Sequence, residues 1–414
     1  MTNGIISQFA DEAAFLWVLR SGSIGAPHFS LCDLTQLDER LEAHIDGLRV
    51  AGDAGWEICK NALDCQYAET FFPAAVLAFE SGDQARIQKI IEALNKDPKC
   101  TNALISALGW LTQEQSAAHI ENLLADQSAF VRYIGIAASA IHRHDPGQHL
   151  SKAVNDVYPL LIARGLRAYG ELGRSRELDN YNLQNLLADS DDGIRFAAAW
   201  SASLAGIPAA VETLKSFVVP GSTYSKKALN TALRQMEPTA ALSWQQQLAD
   251  SPDTIRLATI GAGIIGNTAL VPWLIEQMKT PALARVAGEA FTLITGIDNE
   301  LDEMNGAPPE GLTAGPSDDP KDNNVALDED ENLPWPNVEL LAAWWDRNKG
   351  NYPCGARYLL GKPVTADNLR QVLKTGRQRQ RSAAALELAI MQPGQPLFDV
   401  RARGCRQLTE VGSV

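Results

Sequence analysis

The chain has no Cys-x-x-Cys pair, no P-loop, no Gly-x-Ser-x-Gly elbow and no His-Glu dipeptide in its 414 residues. These absences disfavour zinc ribbons and thioredoxin-like redox sites, phosphate-cradling loops, α/β-hydrolases and the di-iron helical-repeat hydroxylases. No apolar run approaches the ~18 residues a membrane span needs. Cations are outnumbered, 36 Lys and Arg against 50 Asp and Glu, a formal charge of −14. Nucleic acid and anionic membranes are therefore poor partners. The N-terminus carries acids and has no basic n-region, so no secretory signal is expected. Cysteine is sparse and scattered, at Cys32, Cys59, Cys65, Cys100, Cys354 and Cys405. That pattern predicts reduced, mostly buried thiols of a cytoplasmic protein.

What is present is a rhythm. Arg132, Arg164, Arg195, Lys226, Arg256 and Arg285 follow one another at gaps of 32, 31, 31, 30 and 29 residues. Each opens an Ala-rich run with apolar residues at three- and four-residue steps, the signature of helix. A degenerate copy starts at Thr101, and another resembles it from Pro73. Shorter amphipathic stretches precede the runs, at 116–126, 178–189, 209–219 and 239–250. Helical pairs this short bury their apolar faces only by stacking on neighbours. The expected class is all-α, a HEAT-like α-solenoid. Pro98, Pro159, Pro220 and Pro281 add a second spacing of 61 residues, and Asp126, Asp189 and Asp250 sit where turns are expected.

The repeating cations have two readings. One is a basic stripe that grips phosphates. The favoured one is a hydrogen-bond ladder that fixes the turns, because regular recurrence serves architecture whereas a site needs convergence.

Four segments are expected: a helical cap over 1–66, the repeats over 67–297, an acidic loop over 298–334 and a helical region over 335–414. The loop stretch holds twelve acids and one Lys, too charged to offset its ordering entropy by burial, so it is expected to be mobile. From Arg370 to Arg406 there are eight cations and two acids. The favoured reading has the loop folding back on this basic tail; the tail binding an acidic partner, and plain solvation, stay open.

No catalytic or metal constellation emerges, and no cofactor is expected. His142 and His144 lie two apart where a repeat helix ends, a spacing unlike the i, i+4 of helical ligands; they read as complements of the helix dipole. The glycines of Gly261–Gly266 follow no strand and read as close helix packing, not a dinucleotide fingerprint. Candidate protein-binding residues are Trp110, Tyr169 and Trp200 on the second helices, with Arg377, Arg379 and Arg381 in the basic tail. The alternative for the aromatics is that each fills a gap between repeats. Trp335, Trp344 and Trp345 are expected to pin the C-terminal region onto the last repeat.

Residues 34–56, 333–365 and 376–402 resemble a family of bacterial HEAT-like proteins encoded in type VI secretion gene clusters, and the likeness extends weakly through the repeats. The resemblance implies a context, toxin delivery, and carries no catalytic residues with it. It implies a non-enzymatic adaptor or scaffold that binds an effector or spike-associated component. An immunity protein masking a cognate toxin, and an enzyme on a helical-repeat scaffold, stay open as alternatives.

Overall fold

A computed structural model describes residues 2–63, 67–299, 302–309 and 328–412. The class is all-α: 22 α-helices occur among the described residues, with one two-stranded hairpin. The chain divides into two units. The first comprises residues 1–205, 377–379 and 392–414, and the second residues 206–376 and 380–391.

The first unit starts with α1 (Asn3–Ser23), α2 (Leu31–Ala51) and α3 (Asp53–Ala62). Ser30 opens α2 with a capping box, its hydroxyl accepting from the Asp33 amide while Asp33 reaches back. Next come α4 (Ala68–Ser81) and α5 (Gln84–Lys96), then α6 (Thr101–Trp110) and α7 (Gln113–Leu124). The unit continues through α8 (Ala129–Ile141), α9 (Gln148–Val154), α10 (Pro159–Glu171), α11 (Leu183–Leu187) and α12 (Asp192–Leu204). Four of these, α6, α8, α10 and α12, are second helices, and each packs on the next; α7, α9 and α11 pack on the second helix that follows them. This is the order the cation rhythm predicts, and it is consistent with a solenoid.

The second unit repeats the scheme. Its pairs are α13 (Pro208–Ser216) with α14 (Ser225–Gln235), α15 (Pro238–Ala249) with α16 (Ile255–Ile265), and α17 (Val271–Gln277) with α18 (Pro281–Thr295). Again the second helices α14, α16 and α18 pack in succession. Two glycines show how closely second helices approach. A Cβ on Gly170 would lie 2.6 Å from the Trp200 ring, and one on Gly263 would lie 2.9 Å from the Ala290 Cα. Gly261 and Gly263 are therefore helix packing, as expected, whereas Gly266 is the left-handed cap that ends α16 and meets the Tyr358 backbone.

After the repeats come α19 (Val338–Asn348), the hairpin β1 (Tyr358–Leu359) and β2 (Lys362–Pro363), α20 (Ala366–Thr375) and α21 (Gln378–Met391). Leu341 and Trp345 of α19 join Phe291 and Ile294 of α18 in one apolar cluster, with Trp344 packed against it. The aromatic pinning of this region on the last repeat is as expected. The last helix, α22 (Gly404–Gly412), belongs to the first unit.

Three local expectations are corrected. Residues 178–189 do not form one helix. The chain makes a 3-10 turn at Ser175–Asn180, becomes extended at Tyr181, and restarts as the five-residue α11 with Asn182 as its cap. Asn and Asp compete for backbone groups and break a marginal helix there. The region 335–414 is not helical throughout: residues 358–363 form a hairpin, turned by Leu360 and Gly361, both at positive φ. The thiols are not mostly buried: Cys59 and Cys100 are, whereas Cys32, Cys354 and Cys405 are exposed; Cys65 lies outside the described residues. Burial pushes the Cys59 thiol up to about 12.

Candidate functional site

The ladder cations do what turn chemistry requires in two repeats of the first unit. Arg132 donates to the Asp126 and Gln127 carbonyls at 2.9 and 2.7 Å and pairs with Asp156 of the next repeat at 2.6 Å. Arg195 donates to the Asp189 carbonyl and pairs with Asp192. The Asp126 and Asp189 carboxylates accept turn amides from Ser128 and Asp191. Burial raises the Asp156 carboxyl, but Arg132 and the amides of Val157 and Tyr158 outweigh it and hold it below the usual range.

Arg164 departs from this pattern. It points inward to Glu171 at 2.7 Å, which Arg167 also reaches at 2.8 Å. Burial alone would raise the Glu171 carboxyl; the two guanidiniums reverse that and hold it at about 2.

Of the six predicted binding residues, Trp110, Tyr169 and Arg381 are buried, and Trp200, Arg377 and Arg379 are half-buried. Trp110 is 4% exposed, donates to Glu42 at 2.5 Å, and has the Arg20 and Arg403 guanidiniums 5.5 and 4.3 Å from its ring. Tyr169 is 2% exposed and shares a 2.7 Å hydrogen bond with Tyr181. Trp200 covers Gly170. Trp110 packs against the N-terminal helices and the C-terminal segment, and the reading of Trp110 and Tyr169 as exposed anchors is corrected by their burial.

The tail arginines are used within the fold as well. Arg377 donates to the His28 carbonyl at 2.6 Å and Arg379 to that of Gly25 at 2.7 Å. Arg381 is fully buried and donates to the Leu373 carbonyl at 2.7 Å. Further along, Arg403 reaches Glu42 and Arg406 reaches Asp399, both at 3.2 Å. The expected closure of the acidic loop on this basic tail falls largely on residues outside the described set. Of that loop, residues 300–301 and 310–327 lie outside the described set. Its far end, Asp328–Asp330, is placed against the cations of the second unit and is not loose: Asp330 is 7% exposed.

His142 bonds the Leu108 carbonyl at 2.9 Å and Ser116 at 3.1 Å, and His144 bonds Gln113. Among the described residues no group of three or more His, Cys, Asp or Glu could hold a metal ion. None of their helices is long and apolar enough to cross a membrane.

An open groove of about 380 Å³ lies in the first unit, at the first turns of α6, α8 and α10. Its lining includes Lys99, Thr101, Phe130, Tyr133, Tyr158 and Leu160. Leu160 is 56% exposed, and Val157, next to Tyr158 in the chain, is 94% exposed. The N-cap residues Ser128 and Tyr158 make no side-chain cap hydrogen bond. First-turn amides without a side-chain cap favour a carboxylate or carbonyl. The rings and Leu160 favour apolar side chains. No His, Cys, Asp or Glu is in the lining, so a proton-transfer pair has no obvious members there. Sequence reasoning missed this groove. The available signal was the aromatic pair flanking the ladder cation Arg132, at Phe130 and Tyr133.

No family model matches the chain, and a comparison with curated proteins returns no match.

Proposed function

We propose that this chain is a non-enzymatic scaffold that binds a protein partner, and that the partner is an effector or spike-associated component of a type VI secretion system met in the cytoplasm. The observation that carries the binding reading is the groove of Thr101, Phe130, Tyr133, Tyr158 and Leu160 on three consecutive repeats. Its size suits two or three apolar side chains of a partner segment, and Lys99 with the helix starts suits an acid beside them. The secretion context is supported by the resemblance of residues 34–56, 333–365 and 376–402. An immunity protein would use the same kind of surface toward one dedicated toxin. It would differ in being indispensable whenever that toxin is made.

The test is affinity capture from cells that assemble the secretion apparatus, with wild type and a Tyr133→Ala/Leu160→Glu variant. Aromatic anchors at interface centres contribute about 2 kcal/mol or more each, so the variant should lose at least about tenfold of the captured component. Equal capture by the variant sinks the groove. Capture of no secretion component by wild type sinks the partner.

A further inference from the structure

The ladder cations of the second unit are satisfied differently from Arg132 and Arg195. Three consecutive acids lie across them. Asp328 pairs with Arg285 at 2.5 Å, Asp330 with Arg256 at 2.6 Å, and Glu329 with Lys226 at 2.8 Å. Arg285 also donates to the Asp330 carbonyl at 2.8 Å and stacks 4.7 Å from the Trp335 ring. These cations open α14, α16 and α18, three second helices packed in succession. One short peptide thus reads one cation from each of three repeats.

The recognition is that of a peptide: two carboxylates, a main-chain carbonyl and an aromatic ring engage the guanidiniums. Its depth is graded. Arg285 and Asp330 are buried, whereas the Lys226 and Glu329 side chains are 60% and 63% exposed. An exposed pair of this kind contributes little and exchanges readily with another carboxylate. The overall charge of −14 argues against a nucleic-acid occupant.

We propose that the Lys226–Arg256–Arg285 stripe is a docking track for an extended acidic segment of a partner protein, and that residues 328–330 hold it as a stand-in which the partner displaces. The track lies in the second unit and the groove in the first, so a result on either leaves the other standing.

The probe is a fluorescein-labelled peptide with the sequence of residues 328–335, titrated onto the full chain at low salt and read by anisotropy. Wild type should bind it weakly. An Asp328→Asn/Glu329→Gln/Asp330→Asn variant should bind it at least about tenfold tighter, because its own segment no longer competes. Adding Lys226→Gln and Arg256→Gln to that variant should return binding to the wild-type level. No gain in the triple variant, or binding that survives loss of the two cations, overturns the proposal. So does a single-stranded oligonucleotide of eight nucleotides that outcompetes the peptide. Should the triple variant fail to fold, wild type decides: excess unlabelled peptide should speed hydrogen exchange at the Leu333 amide, which bonds the Asp330 carbonyl at 2.8 Å. Unchanged exchange there also overturns it.

Discussion

Replacing Asp38 with Ala should be among the most damaging single changes in the first unit. Asp38 is 3% exposed and Arg20 is 8% exposed. Their side chains meet twice, at 2.5 and 3.3 Å. The same carboxylate accepts from the Gly404 amide at 2.7 Å, and the same guanidinium donates to the Arg401 and Ala402 carbonyls at 3.1 and 3.0 Å. The pair therefore fastens the C-terminal segment to α1 and α2. Removing the acid leaves a buried, uncompensated guanidinium, which costs about 3–5 kcal/mol. The Gly404 amide loses its acceptor in the same step, worth ~1–3 kcal/mol alone but not additive with the first. Urea unfolding followed by far-UV circular dichroism should show the loss. Limited proteolysis should show residues 399–407 cut first. An Arg20→Met/Asp38→Leu double variant should recover most of it, because it removes both charges while keeping volume. A loss below about 1 kcal/mol for Asp38→Ala, or a double variant as weak as the single, would refute this account of the clamp.

Gly263→Val should lower Tm, because its Cβ would meet Ala290 backbone at 2.9 Å; overpacking of this kind costs about 1–3 kcal/mol, and an unchanged Tm in a thermal melt contradicts the close approach. Glu171 is held at about 2 in the fold, below its ordinary 4.5. Its stabilising contribution is therefore complete above the ordinary value and is lost as pH falls from there through the folded value. The urea midpoint should drop across that acidic window in wild type, and the part due to this group should vanish in Glu171→Gln. Identical pH profiles for the two proteins would remove the ion-pair reading of Arg164 and Arg167.

The second helices were legible because a cation and an Ala-rich helix start together in each repeat, and both leave marks at fixed spacing. The side on which an aromatic falls left no such mark. Trp200 is a gap filler because Gly170 sits opposite it, thirty positions earlier in the sequence, and only packing brings the two together. Trp110 is buried because Arg403, from the far end of the chain, lies over its ring. Long-range pairings of this kind have no local signature. Neither did the hairpin at 358–363, where Leu360 takes a positive φ that its residue type does not suggest. The acids at 328–330 read as part of a loop on composition, and they are. Their partners, the ladder cations of the second unit, were visible as a series but not as a surface awaiting them. The use of Arg377 and Arg379 within the fold had no local mark either, because the carbonyls that accept from them belong to His28 and Gly25, near the other end of the chain.

Site-specific photo-crosslinking tests the central claim most directly. A photoreactive residue placed at Tyr133 in the full chain should, in cells assembling the secretion apparatus, yield an adduct with one of its effectors or spike-associated components. The same residue at Val50, 75% exposed and outside the groove lining, should not. Equal labelling at the two positions, or no adduct with a secretion component at Tyr133, would contradict a protein-binding scaffold that works through this groove.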